Sequence, residues 1–482
     1  MNPSILRRRG RATAILTTAF VALPFAPAAI AQPIDVPGLP GLPGIGEAAA
    51  PGLGDALEPG INAAVGANDA IAGAVNSARA TGLPEDAIDP GVADRIILAP
   101  TADATSGVTV TFLSDASSAS VEYRDAQGAA GSVATTIKGA GASASHHTAT
   151  IGGLQPGTAY EYRIVAGDGA DQRTGQWRTF ATAAASGPMD IIFWGDAQNG
   201  LADEWAASAQ AAIAGVPNAS LMLQSGDMID QAHSDEEWGQ WYRSMGDAAA
   251  TTPLLTALGN HELTIDPAAT AFRSHFTHPA NGPASLNNST YYVDHQGVRI
   301  ITLTANALFL DDQAAFLEEA LAGNPHEWSM VMFHQPVHNG TTNRNDTTYG
   351  EAFTEIIERH DVDLVLNGHD HTYARGHKTD NVVDGVNTGP VYLVATAGSK
   401  YYPTAAENPA WSGQGAERAV WASNTSSYQR ITLDACTMEV TSVITTQGDE
   451  PVTSNGAAGA GDILDEFTID KCGDGKQVTD GN

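Results

Sequence analysis

The sequence predicts an all-β sandwich followed by an α/β domain, and two observations carry that reading. From about Asp94 to Thr182, short β-branched and aromatic runs (GVTVTFL, ASVEYRD, HHTATIGGL, AYEYRIVA, QWRTFAT) alternate with Gly, Asp and Ser turns. Period-two alternation with turns at that spacing is the pattern of a sandwich. After Ser186 the apolar runs MDIIFW, ASLMLQ, PLLTAL, VRIITL, WSMVMF, VDLVL and PVYLVA alternate with amphipathic stretches such as EEWGQWYRSM and EAFTEIIERH. That alternation reads as βαβ units.

Two segments precede the folded part. Arg7, Arg8, Arg9 and Arg11 lead into an apolar stretch that ends Ala29-Ile30-Ala31, the layout of a cleaved export signal over residues 1–31. The arginine run also permits a twin-arginine signal, although the residues after it fit that pattern poorly. Residues 32–90 are rich in Ala, Gly and Pro, a composition that buries too little apolar area to offset ordering entropy, and so read as a flexible stalk. The expected divisions are then a sandwich at 91–184, an α/β domain at 187–472 and a tail at 473–482. Export places the protein outside the cell or in its envelope.

The charge narrows the partners. With 55 acidic against 23 basic residues and a formal charge of −32, the chain repels nucleic acid and anionic membranes. An anionic substrate needs a strong local positive centre, which bound metal ions supply. No other segment is long and apolar enough to span a bilayer, so no stable membrane insertion is expected once the signal is removed. Cys436 and Cys472 are the only cysteines, which excludes a thiolate metal site and leaves room for one disulfide.

Five of the apolar strands stop at a metal-capable residue. IIFW runs into Gly195-Asp196-Ala197-Gln198, LMLQ into Gly226-Asp227, LLTAL into Gly259-Asn260-His261-Glu262, MVMF into His334, and LVL into Gly368-His369-Asp370-His371. The carboxyl ends of strands in an α/β sheet form one rim, so these residues converge whatever their separation in sequence. A glycine at the strand end lets the chain turn sharply enough for the next side chain to face that rim. Each fragment alone is a common turn or core histidine. Five in order, each after an apolar strand, describe a metal site.

These motifs (GD-x-Q, GD-x-x-D, GNHE, FHQP, GHDHTYAR) resemble the calcineurin-like metallophosphoesterase superfamily. With the preceding β domain, where GLQPGTAYEYRI is similar to strand F of fibronectin type III-like domains, the chain resembles purple acid phosphatases. The resemblance implies two mixed β-sheets sandwiched by helices and two metal ions per chain, of iron, manganese or zinc. It implies that Asp227 bridges them, with Asp196, Gln198 and His371 on one ion and Asn260, His334 and His369 on the other. Carboxylate, amide oxygen and imidazole suit such ions, and a water held by them loses its proton near neutral pH.

The expected reaction is hydrolysis of a small phosphate monoester, with a phosphodiester as the near alternative and a surface adhesin carrying a degenerate enzyme domain as the distant one. His261 is the candidate general acid for the leaving alcohol, with Glu262 expected to orient it. Asp370, between two ligands, reads as a supporting or turn-forming residue. His338, Arg344 and Arg375 lie near motifs and are candidate phosphate contacts. Asp230 stands where the purple enzymes carry an iron-binding tyrosine, and Gln198 where they have glycine. Loops 277–290 and 339–349 are where substrate choice is expected to lie.

Overall fold

The computed structural model describes residues 89–140, 144–457 and 459–481. The expected export signal and residues 32–88 of the expected stalk lie outside them. Among the described residues no helix is long and apolar enough to cross a membrane.

Among the described residues the N-terminal domain has nine strands: β1 (Asp94–Pro100), β2 (Gly107–Ser114), β3 (Ala119–Asp125), β4 (Ala130–Ala134), β5 (Thr136–Ala140), β6 (Ser145–Gly152), β7 (Ala159–Ala166), β8 (Arg173–Thr174) and β9 (Arg178–Ala181). They pair as β1-β2-β6-β5 and β4-β3-β7-β8, with β9 on β7. Alternate residues point inward, so Leu98, Val110, Phe112, Val121, Ile151, Tyr162 and Ile164 make one core. This domain is tied to the next by specific bonds. Tyr162 Oη donates to the Ala250 carbonyl at 2.7 Å, and Arg95 pairs with Asp235 at 2.7 Å.

The larger domain contributes β10 (Met189–Trp194), β11 (Ala219–Gln224), β12 (Leu254–Thr256), β13 (Tyr291–His295), β14 (Val298–Thr302), β15 (Trp328–Met332), β16 (Leu364–Asn367), β17 (Tyr373–Lys378), β18 (Val382–Val383), β19 (Val386–Asn387), β20 (Val391–Val394), β21 (Ala416–Leu433), β22 (Thr437–Thr453), β23 (Ile463–Asp470) and β24 (Gln477–Asp480). In one half β12, β11 and β10 are parallel, and β10 meets the end of β21 antiparallel. In the other, β14, β15, β16 and β20 are parallel, with β13 antiparallel on one edge and β17 on the other. The long strand β21 joins the halves, since its first residues pair with β17 and its last with β10.

The two halves pack face to face. Ile191, Phe193, Leu221, Leu223 and Leu255 from one meet Ile300, Met330, Met332, Leu364 and Leu366 from the other in one buried core. Helices cover the outer faces. Helix Asp235–Met245 shows why they form: Ser234 caps it by accepting the Glu237 N–H at 3.2 Å, and acidic residues fill its first turn. Trp238, Trp241, Tyr242 and Met245 then recur at helical spacing on its buried side, together with helix Glu204–Gly215. Helices Leu310–Ala322 and Thr348–Arg359 cover the opposite face. The sequence expectation of two mixed sheets flanked by helices thus matches the fold.

The end of the chain departs from expectation. Residues 473–482 read as a tail, yet β24 pairs with β23, Asp480 opposite Phe467, because QVTD supplies an edge partner for that strand. The sulfurs of Cys436 and Cys472 are bonded, closing an interval of 36 residues around β22 and β23.

Candidate metal centre

The carboxyl ends of β10, β11, β12, β15 and β16 bring the strand-terminal residues to one place. Glycine is sterically required at several of these turns. A Cβ on residue 195 would run into the Ala395 carbonyl oxygen, where β10 crosses the turn after β20. Gly226 has φ +99°, and a Cβ on it would lie 2.7 Å from the Gly259 nitrogen. Asp227, His369 and His371 themselves adopt left-handed backbone, at φ +50°, +72° and +47°. Non-glycine residues held in that region concentrate at functional sites.

Asp227 is central. Its Oδ1 accepts the His261 backbone N–H at 2.9 Å, its Oδ2 accepts from Gln198 Nε2 at 2.7 Å, and His334 Nε2 lies 3.0 Å from Oδ2. His334 Nε2 also lies 3.1 Å from Asn260 Oδ1 and 3.2 Å from His369 Nδ1. On the other side His371 Nε2 stands 3.2 Å from Asp196 Oδ2. Donor atoms of Asp227, His334 and His369 lie within 4.8 Å of one another, and so do those of Asp196, Asp227 and His371. Both groups contain Asp227.

Imidazole orientation is set from behind. The Ser225 carbonyl meets His334 Nδ1 at 2.9 Å and the Lys400 carbonyl meets His371 Nδ1 at 3.0 Å, which turns each Nε2 toward the carboxylates. The electrostatics fit a cation site. Burial pushes the Asp196 carboxyl up to about 7, opposed by His334 and helped by Asp227. Burial and the Asp227 charge push Glu262 up to about 8. Although burial works against the charge, the Asp227 and Asp196 carboxylates hold His334 up at about 9. Burial keeps His371 neutral, near 3. Three buried carboxylates thus face one another, with Asp196 Oδ2 and Gln198 Oε1 buried and without hydrogen-bond partners. Bound cations satisfy both the charge and the unpartnered oxygens.

The remaining predicted residues fall into two groups. Arg344 is at the site, its Nη1 donating to the His369 carbonyl at 3.0 Å and to Asp370 Oδ1 at 2.9 Å. Arg375 is not at the substrate side. It is buried in a bidentate pair with Asp465 at 2.7 and 2.8 Å and also pairs with Asp480, so it anchors β23 and β24 to β17. His338 is likewise a packing residue, its ring against Tyr392 and Trp411 and its Nδ1 3.1 Å from Gln414 Oε1. Proximity in sequence to a motif did not bring either to the metal-capable residues: Arg375 lies on β17 and faces Asp465, and His338 lies in a loop packed on Tyr392 and Trp411.

Glu262 also has a different task from the one expected. It does not touch the His261 ring. Its Oε2 accepts the N–H groups of Asp227 at 3.0 Å and Gly259 at 2.8 Å, and its Oε1 that of Met228 at 2.8 Å. It clamps the turns after β11 and β12 together. The His261 ring is held instead by Asp230, whose carbonyl lies 2.9 Å from Nδ1. Asp370 has a comparable role, accepting the Gly340 N–H at 2.6 Å, so that loop 339–345 is bound to the ligand turn. None of these partnerships is visible as a motif.

The family profile described as calcineurin-like phosphoesterase matches residues 189–373, which span these ligand turns from Asp196 to His371. Residues 189–373 form a calcineurin-like phosphoesterase domain. The profile for the purple acid phosphatase N-terminal domain matches residues 93–182. Relatives include purple acid phosphatase 15 of Arabidopsis thaliana, 26% identical over 54% of this chain and 55% of its own length. Purple acid phosphatase 22 of the same plant is 28% identical over 51% and 57%, and the phosphoenolpyruvate phosphatase of Allium cepa 27% identical over 35% and 37%. The match to these curated relatives thus spans about half their length or less. Among solved structures, purple acid phosphatase PPD1 from yellow lupin (Lupinus luteus) seeds aligns with TM-score 0.62 at 17% identity over 80% of this chain and 75% of that one. The structure of PhoD aligns at 0.55 and 13% identity, over 80% and 91%. At these identities the structural matches speak to the fold.

Proposed function

We propose that the chain is an exported hydrolase of phosphate monoesters that works at a dinuclear metal centre. The observation that carries this reading is the place of Asp227 in two donor groups at once. Asp196, Gln198 and His371 complete the set for one ion, and Asn260, His334 and His369 the set for the other. Iron, manganese and zinc all accept such a mixture of carboxylate, amide oxygen and imidazole. When bound, a pair of ions supplies a water acidic enough to act as nucleophile near neutral pH and neutralises charge growing on the phosphoryl oxygens.

The chain's own side chains supply orientation and a proton. Glu262 fixes the Asp227 and Gly259 turns relative to each other. The backbone N–H of His261 holds Asp227 Oδ1, leaving the carboxylate no freedom to rotate away. As the oxygen of water joins phosphorus, the bond from phosphorus to the ester oxygen breaks. That oxygen takes its proton from the His261 ring, which Asp230 holds through Nδ1. The products are an alcohol and inorganic phosphate.

Export rests on the N-terminal pattern of residues 1–31, and a disulfide is in keeping with an oxidising compartment. The names of the relatives favour monoesters over diesters. The deciding assay sets p-nitrophenyl phosphate against bis(p-nitrophenyl) phosphate on protein loaded with manganese, zinc or iron. Faster turnover of the monoester is expected; faster turnover of the diester, or none of either, overturns the reading.

A further inference from the structure

Beside His371 lie two cationic side chains and an aromatic ring. The Tyr402 ring stands edge-on to the His371 ring, with centres 5.0 Å apart. Arg344 Cζ lies 5.0 Å from the centre of the Tyr402 ring and Lys400 Nζ 5.7 Å from it. Arg344 uses Nη1 on Asp370 and the His369 carbonyl, and 30% of its side chain stays exposed. Among the described residues Lys400 makes no ion pair, although the chain carries 55 acidic residues against 23 basic ones. Its ammonium faces the Tyr402 ring and, among those residues, is left without a carboxylate partner beside His371.

The ledge is built, not incidental. Loops 339–345 and 400–412 are laced together. Thr341 Oγ1 donates to the Pro403 carbonyl at 2.8 Å, and Asn408 Nδ2 donates to the carbonyls of Asn339 and Gly340 at 3.0 Å each. Trp411 Nε1 donates to the Asn339 carbonyl at 3.0 Å. Asp370 then ties the pair to the ligand turn through the Gly340 N–H. The loops that carry the two cations are therefore held in place, while Asp196, Gln198 and His334 are fully buried. A scissile phosphate is already matched to the ions. A second cationic pair beside it, flanking an aromatic face, matches an anion on the part of the substrate that leaves.

We propose that Arg344, Lys400 and Tyr402 form an anion subsite for the organic part of the substrate, so that the chain prefers phosphate monoesters whose leaving group bears a carboxylate or a second phosphate. This rests on the hydrolytic reading above. Glycerol 2-phosphate and 2-phosphoglycerate test it, since they share a skeleton and differ by a hydroxymethyl against a carboxylate. On the metal-replete full chain, kcat/KM for the carboxylate ester is expected to exceed that for the neutral one by roughly tenfold, mostly through KM, and the ratio to shrink as salt rises. Lys400→Gln should bring the ratio down severalfold, and Lys400→Arg should keep it. A ratio of one or less in the unsubstituted chain overturns the subsite, as does a Lys400→Gln variant that slows both esters equally. If neither ester is hydrolysed, the hydrolytic reading itself fails and the subsite fails with it.

Discussion

His261 Nδ1 lies 2.9 Å from the carbonyl oxygen of Asp230 and 3.3 Å from its Oδ1. The residue occupying the position of the family's tyrosine thus holds the candidate general acid, and Nε2 is the nitrogen free for proton delivery. His261→Ala is expected to lower kcat by ~10²–10⁴ on alkyl phosphates and by less on p-nitrophenyl phosphate, whose leaving group needs no proton. Asp230→Asn keeps the backbone carbonyl and should cost under about tenfold. An equal loss on good and poor leaving groups would assign His261 to phosphate binding or structure.

Glu262 gives a prediction that separates architecture from chemistry. Glutamine in its place has one acceptor oxygen where three N–H groups now converge, so its amide hydrogens face a donor. Glu262→Gln should destabilise the fold by roughly 2–4 kcal/mol and weaken metal retention. Urea unfolding of the metal-free protein reads the first effect without the second. Unchanged stability would mean that the two turns hold without the clamp.

How much of this was legible before the fold was known depends on whether a residue acts through its type or through its neighbours. Asp196, Asp227, His334, His369 and His371 follow apolar strands, and strand ends converge by topology, so their gathering at one place was legible from type and position. Glu262 sits in the same GNHE motif, yet two of its three partners are backbone N–H groups of the Asp227–Met228 turn, 34 and 35 residues away, which no pattern of side chains encodes. Lys400 and Tyr402 follow a strand that also runs into a glycine, Gly398, but no metal-capable residue comes next, so no ligand motif marks them. Arg375 failed for the opposite reason: it is adjacent in sequence to the GHDH turn but faces Asp465 on another strand.

The Cys436–Cys472 bond closes 36 residues that include the turn from β22 to β23. Loop-closure entropy assigns such a crosslink about 3–4 kcal/mol. Replacing both cysteines by serine should lower the denaturation midpoint accordingly while leaving metal content unchanged, since the bond is remote from the ligand turns. Loss of metal in the double variant would show that β22 and β23 position the site more directly than their place in the sheet implies.

Colour follows from the tyrosines. A purple centre requires a tyrosinate on ferric iron, and two tyrosines near the motifs in sequence, Tyr373 and Tyr349, are engaged elsewhere. Tyr373 Oη donates to Asp465 at 2.7 Å and accepts from Ser442 at 2.9 Å, and Tyr349 Oη donates to the Ala305 carbonyl at 2.6 Å. Protein purified without chelator should therefore be colourless or faintly tinted, and divalent ions alone should restore activity to the apo form. An intense visible band would point to Tyr402, whose ring already touches that of His371.

The central claim is that one carboxylate, Asp227, serves two ions. Mass-spectrometric metal analysis of the intact chain and of Asp227→Asn, purified side by side, tests it most directly. Two ions per chain are expected in the first, and loss of both together in the second, because neither remaining donor set is complete without the shared oxygen pair. Retention of one full ion by Asp227→Asn would show that the carboxylate belongs to a single ion, and would contradict the account.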